Sequence, residues 1–206
     1  VFAADLPSDA VDYFAGEIAA GHDTPANHYG YAMALSGLGR NADALDALKP
    51  ALEQLPKQIN INLLKGRIEL ALHQQDTGLA TLARTLSMYP HSSAAIFANA
   101  DALITAGRPE DARQLLISRD QTLGPRMYTY SLLSQAARES GNIAEASYQM
   151  ATYLYLRGDA GNAIAQLDAG LRWEKLSPQD RARLVAKRQE IRNSLPASWK
   201  PTKTLA

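Results

Sequence analysis

Four histidines, 21 carboxylates and no cysteine are the raw material for chemistry in this 206-residue chain. His22, Asp23 and His28 lie close together around Pro25. Three such residues resemble the start of a metal site, but no further acid or Cys stands near them, and surface histidines are the simpler reading. None of the four histidines (His22, His28, His73 and His91) belongs to a His-Glu-x-x-His run. That run would put two imidazoles one helical turn apart on zinc, with the Glu as base. Without Cys there is neither a thiolate site nor a disulfide framework. Gly37-Leu38-Gly39-Arg40-Asn41-Ala42 matches the G-x-G-x-x-A phosphate fingerprint. The fingerprint needs a strand before it and a helix N-terminus after it. Here the preceding pattern is helical, and Gly39 serves as a turn. No Ser, His and Asp can be paired from spacing. The chain is therefore expected to hold no catalytic residue, no metal and no cofactor.

Composition narrows the remaining classes. The 21 Lys+Arg balance the 21 Asp+Glu, which gives no electrostatic basis for nucleic-acid binding. Hydrophobic residues at 46% and charged residues at 20% describe a globular chain with a sizeable core. No apolar run approaches the ~18 residues that span a bilayer. The sequence opens at Val1 without Met, and Val-Phe-Ala-Ala has neither the charged region nor the apolar stretch of a secretory signal before it. Residues 171–206 carry nine Lys/Arg against three Asp/Glu. This basic segment reads as a solvated helix or as a docking surface for an acidic partner.

The elements follow from an internal period. Ala44, Gly78, Ala112 and Ala146 are 34 residues apart, and Leu48, Leu82, Leu116 and Met150 follow each by four. Gly39, Gly107 and Gly141 share the period, with His73 in the fourth slot. Pro56 and Pro90 repeat it again, and Ala10 and Phe14 extend it backwards. This is the period of the tetratricopeptide repeat (TPR), a helix-turn-helix unit. A small side chain lets the paired helix approach, and the bulky one a turn later fills the space beyond. Gly ends the first helix by accepting a left-handed conformation. Pro stops the second. The pattern predicts an all-α, right-handed TPR α-solenoid of about 11 helices, near 8–20, 25–38, 41–54, 59–73, 76–88, 93–106, 109–120, 126–140, 143–157, 160–173 and 178–194. Ser8 and Ser177 are the expected N-caps, with Pro178 at the first helical position. Gly158, Ala163 and Leu167 repeat the motif only 17 residues after Gly141, Ala146 and Met150. The helix near 143–157 should therefore close one unit and open the next. The segments are a partial repeat helix (1–24), the array (25–175), and a basic C-terminal helix and tail (176–206). The first fits the second half of a unit, so the array is expected to begin before Val1.

Function should then reside on the concave face, lined mostly by first helices. The period places there Tyr29, Met33, Leu63, Arg67, Phe97, Asp101, Tyr128, Ser131, Gln135, Arg138, Tyr148, Thr152 and Tyr155. Aromatics with interspersed Arg are typical of protein-binding hot spots, and the centre is expected at Arg67, Phe97 and Tyr128. A protein or peptide partner is implied. A two-carboxylate clamp needs Lys and Asn on successive first helices. Tyr29, Met33, Leu63 and Leu64 occupy those places, so the chain does not look like one.

The stretches YGYAMALSGLGRNADALDALKPAL (Tyr29 to Leu52) and EASYQMATYLYLRGDAGNAIAQLDAGL (Glu145 to Leu171) resemble the C-terminal TPR region of BepA-type (YfgC-type) periplasmic zinc metallopeptidases. The run YLYLRGD (Tyr153 to Asp159), placed after a half-repeat shift, is the most telling part. The resemblance covers about residues 8–195. It implies a parent protein with an N-terminal His-Glu-x-x-His zinc domain, a periplasmic location, and a role in outer-membrane protein assembly and quality control. This chain would be the non-catalytic half, with zinc only in the parent. Its partners would be the outer-membrane assembly machinery or the protease domain of the same protein. A free-standing TPR scaffold or adaptor, in the envelope or the cytoplasm, is the other reading.

Overall fold

A computed structural model describes residues 7–196. Among them are twelve helices and no strand: α1 (Pro7–Ala19), α2 (Pro25–Gly37), α3 (Asn41–Gln54), α4 (Ile59–Ala71), α5 (Gln75–Met88), α6 (Ser93–Thr105), α7 (Pro109–Ser118), α8 (Asp120–Leu123), α9 (Met127–Glu139), α10 (Ile143–Leu156), α11 (Ala160–Leu171) and α12 (Pro178–Asn193). The fold class is as the period predicts. The twelfth helix is the single turn α8, which the repeat pattern does not contain. It forms because the backbone folds tightly at Arg119, whose N–H reaches the Leu115 and Leu116 carbonyls. Gly124, at a φ of 60°, then ends the turn where Pro56 and Pro90 stand in earlier repeats.

The 34-residue turn is one motif used repeatedly. Gly39, Gly107 and Gly141 have φ of 75°, 72° and 73°. In each case the next N–H donates to the carbonyl five residues back: Arg40 to Leu35, Arg108 to Leu103 and Asn142 to Ala137. These bonds satisfy carbonyls left open at the helix end. His73 fills the fourth slot with a φ of 60°, the only positive value at a non-glycine among the described residues. Gln74 donates to Glu69 there in the same way. At the helix starts, Ser177 accepts from the Asp180 N–H at 3.0 Å with Pro178 following, as expected. Ser8 does not cap. It lies inside α1 and its hydroxyl donates to Asp9, because the helix already begins at Pro7.

Two compact units divide the chain, Val1–Ala102 and Leu103–Ala206, with the boundary inside α6. The segments 1–24, 25–175 and 176–206 follow repeat register rather than compactness, and residues 1–6 and 197–206 lie outside the described part. In the first unit α2, α3 and α4 bury Ala32, Leu35, Ala44, Leu48, Ala51, Ile61 and Ile68 together. A second cluster joins Leu63 and Leu82 to Ala95, Ala98 and Ala102 of α6. In the second unit α10, α11 and α12 share Ala151, Ala163, Leu167, Leu184 and Ile191. Here α10 packs on α9 and also on α11, so the half-repeat shift is realised as one helix with two partners. A further small-residue ladder runs along the first helices at the same period: Ala32, Gly66, Ala100 and Ser134, all buried. Within the units it faces the ladder of the paired helices, Gly66 against Gly78 and Ser134 against Ala146.

Candidate functional site

The histidines settle into local structure. The Asp23 carboxylate and His28 Nε2 are in contact, and His22 Nδ1 lies 2.9 Å from Glu17. His28 is buried, so of this pair only His22 is a surface histidine. Among the described residues no three His, Asp or Glu side chains converge as metal ligands do. Gly37 to Ala42 is a helix-to-helix turn, with Gly39 at its left-handed position and no strand before it.

The first-helix residues are positioned by the ladder, which turns one face of each helix towards its partner and leaves another open. On α2, Met33 is 52% exposed. Tyr29 is half-buried beside a groove of about 190 Å³ lined by Pro25, Leu55 and Ile61. On α4, Arg67 is exposed. On α6, Asp101 is exposed and Phe97 half-buried. On α9, Tyr128 and Arg138 are exposed and Ser131 and Gln135 half-buried. Arg138 edges an open groove of about 570 Å³ floored by Met150 and Leu154.

Four of the thirteen residues are placed differently from the expectation of an open concave lining. Leu63 is buried against Leu82 and α6. It lies in the seam between neighbouring first helices, where apolar area is best removed from water. Two of the three α10 residues, Tyr148 and Tyr155, lie against α12. The Arg183 guanidinium sits 3.9 Å over the Tyr148 ring, and the Tyr155 hydroxyl donates to Ser194 at 2.8 Å. Buried Thr152 returns its hydroxyl to the Tyr148 carbonyl at 2.9 Å. The shift that makes α10 a first helix also lets the following helix cover its outer face. Nothing in residue spacing names that cover.

The basic helix is likewise engaged within the chain. Arg183 pairs with Glu145, and Arg188 lies 2.6 Å from Asp168. Burial works against the Arg183 cation, but the hydrogen bond and charge of Glu145 outweigh it and hold its pKa above the ordinary value. The free basic surface expected at the C-terminus is thus partly consumed by the array. No helix among the described residues is long and apolar enough to cross a membrane.

No family model matches the sequence, and no curated protein is significantly similar to it. Solved structures are similar. A thermophilic TPR protein of Thermus thermophilus superposes with a TM-score of 0.54 at 16% identity, covering 79% of this chain and 98% of that one. A tetratricopeptide repeat protein from Parabacteroides merdae gives 0.60 at 10% identity, over 89% and 78%. YrrB, a TPR protein with an unusual peptide-binding site, gives 0.58 at 14% identity, over 90% and 95%. At such identities the likeness defines the fold: the chain has the architecture of a tetratricopeptide-repeat protein.

Proposed function

We propose that the chain is a non-catalytic protein-interaction module that captures polypeptide on its first helices. The observation that carries this reading is the exposure of Met33, Arg67 and Tyr128 at positions where regular helix pairs need no packing. An apolar or aromatic side chain beside a guanidinium binds well once desolvated. The peptide-binding site of YrrB supports a peptide partner here by analogy of fold. A photo-crosslinking amino acid at Met33 or Arg67 should trap a partner protein in extracts. The same group at Arg84 or Ser87, exposed on α5, should not. Equal trapping at all four positions would overturn the assignment of the surface.

The narrower reading is that this module is the tail of a BepA-type periplasmic zinc metallopeptidase active in outer-membrane protein assembly and quality control. Its support is the run YLYLRGD, which lies on the end of α10, the helix shared by two pairs, and in the turn after it. Zinc would then reside in a preceding domain, and the partners would be that domain or the assembly machinery. Reading the adjoining upstream coding sequence tests this. A His-Glu-x-x-His helix in frame is expected, and its absence leaves a free-standing scaffold or adaptor.

A further inference from the structure

The seam of α12 has a composition unlike that of α3. Its inward positions are Leu184, Lys187, Arg188 and Ile191, the spacing of one helix face. Only Leu184 and Ile191 are fully buried, and the centre of the seam holds two cations. The Lys187 side chain is 11% exposed, its ammonium 2.8 Å from Glu190 of the same helix and 5.8 Å from the Tyr148 ring. Arg188 meets Asp168, while Arg183 covers Tyr148 and meets Glu145. By contrast, the inward face of α3 is Ala44, Leu48 and Ala51. Taking cations out of water offsets much of what their pairing returns. Pairs that remain partly exposed weaken further with salt. Such a helix is positioned specifically and held loosely.

We propose that the face of α10 and α11 beneath α12 is a receptor for a basic amphipathic helix of a partner protein. α12 is its resident occupant, displaced when that partner docks. The chemistry is explicit in the contacts. The receptor offers two carboxylates, Glu145 and Asp168, the face of Tyr148, and sockets for two aliphatic side chains seven residues apart. A fitting helix carries cations one residue before the first aliphatic and three and four after it. This deepens the interaction-module reading and places a second surface in the second unit, whereas Met33 and Arg67 belong to the first.

The test uses the full chain and a fluorescently labelled peptide of residues 177–194. In the variant R183E/R188E the resident helix should loosen. The peptide should then bind at least tenfold more tightly than to the unaltered protein, with affinity falling steeply as salt rises. Adding E145R and D168R to that variant should abolish the binding, with circular dichroism and amide protection in α2 to α5 as the control for folding. Hydrogen exchange on the unaltered protein gives a measure independent of any variant. α12 amides should exchange at least tenfold faster at 1 M than at 0.05 M sodium chloride, with α9 amides unchanged. A loosened α12 without peptide binding would make it a simple end cap and overturn the proposal, as would salt-independent exchange. Dimers of the variant in place of peptide capture would assign the face to a second copy and overturn the choice of a partner protein. Failure to crosslink at Met33, with the peptide still binding, would remove only the first-helix surface.

Discussion

The pair α4–α5 and the pair α9–α10 occupy the same slots of the 34-residue register, yet they are packed to different tightness. In α4–α5 both facing positions are glycine. A Cβ on Gly66 would fall 2.6 Å from Leu82 Cγ, and one on Gly78 would fall 3.0 Å from the Gly66 carbonyl oxygen. The two backbones touch, and Leu82 is completely buried. In α9–α10 the facing residues are Ser134 and Ala146, joined by a hydroxyl-to-carbonyl bond of 2.9 Å. The ladder residue Met150 is only half-buried. α5 pairs chiefly with α4 and meets α6 through Leu82, whereas α10 packs about equally on α9 and α11. A Gly–Gly fit suits a helix with one dominant partner. An adaptable Met and a bonded Ser hold the compromise.

The contrast can be broken most strongly at the bulky slot. Leu82→Ala should cost about 2–5 kcal/mol, since it opens a cavity in a closed seam. Met150→Ala, facing an open groove, should cost about 1 kcal/mol. Chemical unfolding reads both, with Arg113→Ala, half-buried and paired with Glu110 of its own helix, as a control expected within about 0.5 kcal/mol. Equal losses at all three positions would sink the register.

The small slot gives an intermediate effect of opposite chemistry. Gly78→Ala should destabilise by about 1–3 kcal/mol through overpacking, although alanine is the better helix former. Ala146→Gly should lose about 1 kcal/mol, for helix propensity alone. If Gly78→Ala instead raised the melting temperature, the backbone contact in α4–α5 would not be a constraint.

The smallest change concerns the turns. His73 carries a side chain at a positive φ, which costs about 1–2 kcal/mol relative to glycine. His73→Gly should therefore raise stability by about 1 kcal/mol, while Gly141→Ala in the corresponding turn of α9–α10 should lower it by a similar amount. Thermal unfolding of the two variants side by side would show whether the turns are equivalent.

Most helix boundaries could be read from the sequence because Gly, Pro and the small-bulky pair act locally. Gly107 ends α6, and the Gly158, Ala163 and Leu167 echo announced that α10 is shared. The Ala32 to Ser134 ladder carries the same period and was equally available. It is less conspicuous because its members are three different residue types. α8 was not legible, since one turn of helix without its own apolar stripe leaves no periodic signal. The surface was the least readable part. Periodicity says which way Tyr148 and Tyr155 face, but not that a helix some 30 residues later will lie on them. The basic character of α12 reads as solvation until Glu145 and Asp168 are seen beneath it.

The double membership of α10 bears on how this end of the molecule comes apart. In an ordinary row of repeats the terminal unit can fray and leave its neighbour whole, so stability adds up nearly unit by unit. Between α9 and α11 there is no such perforation. Melting α11 strips one side of the helix that closes the pair before it, and loss of α9 does the same from the other side. Amides across residues 127–171 should therefore open together as a single cooperative block, with α12 free to loosen on its own. In the first unit, by contrast, α1 packs mainly on α2 among the described residues and should open before the helices behind it.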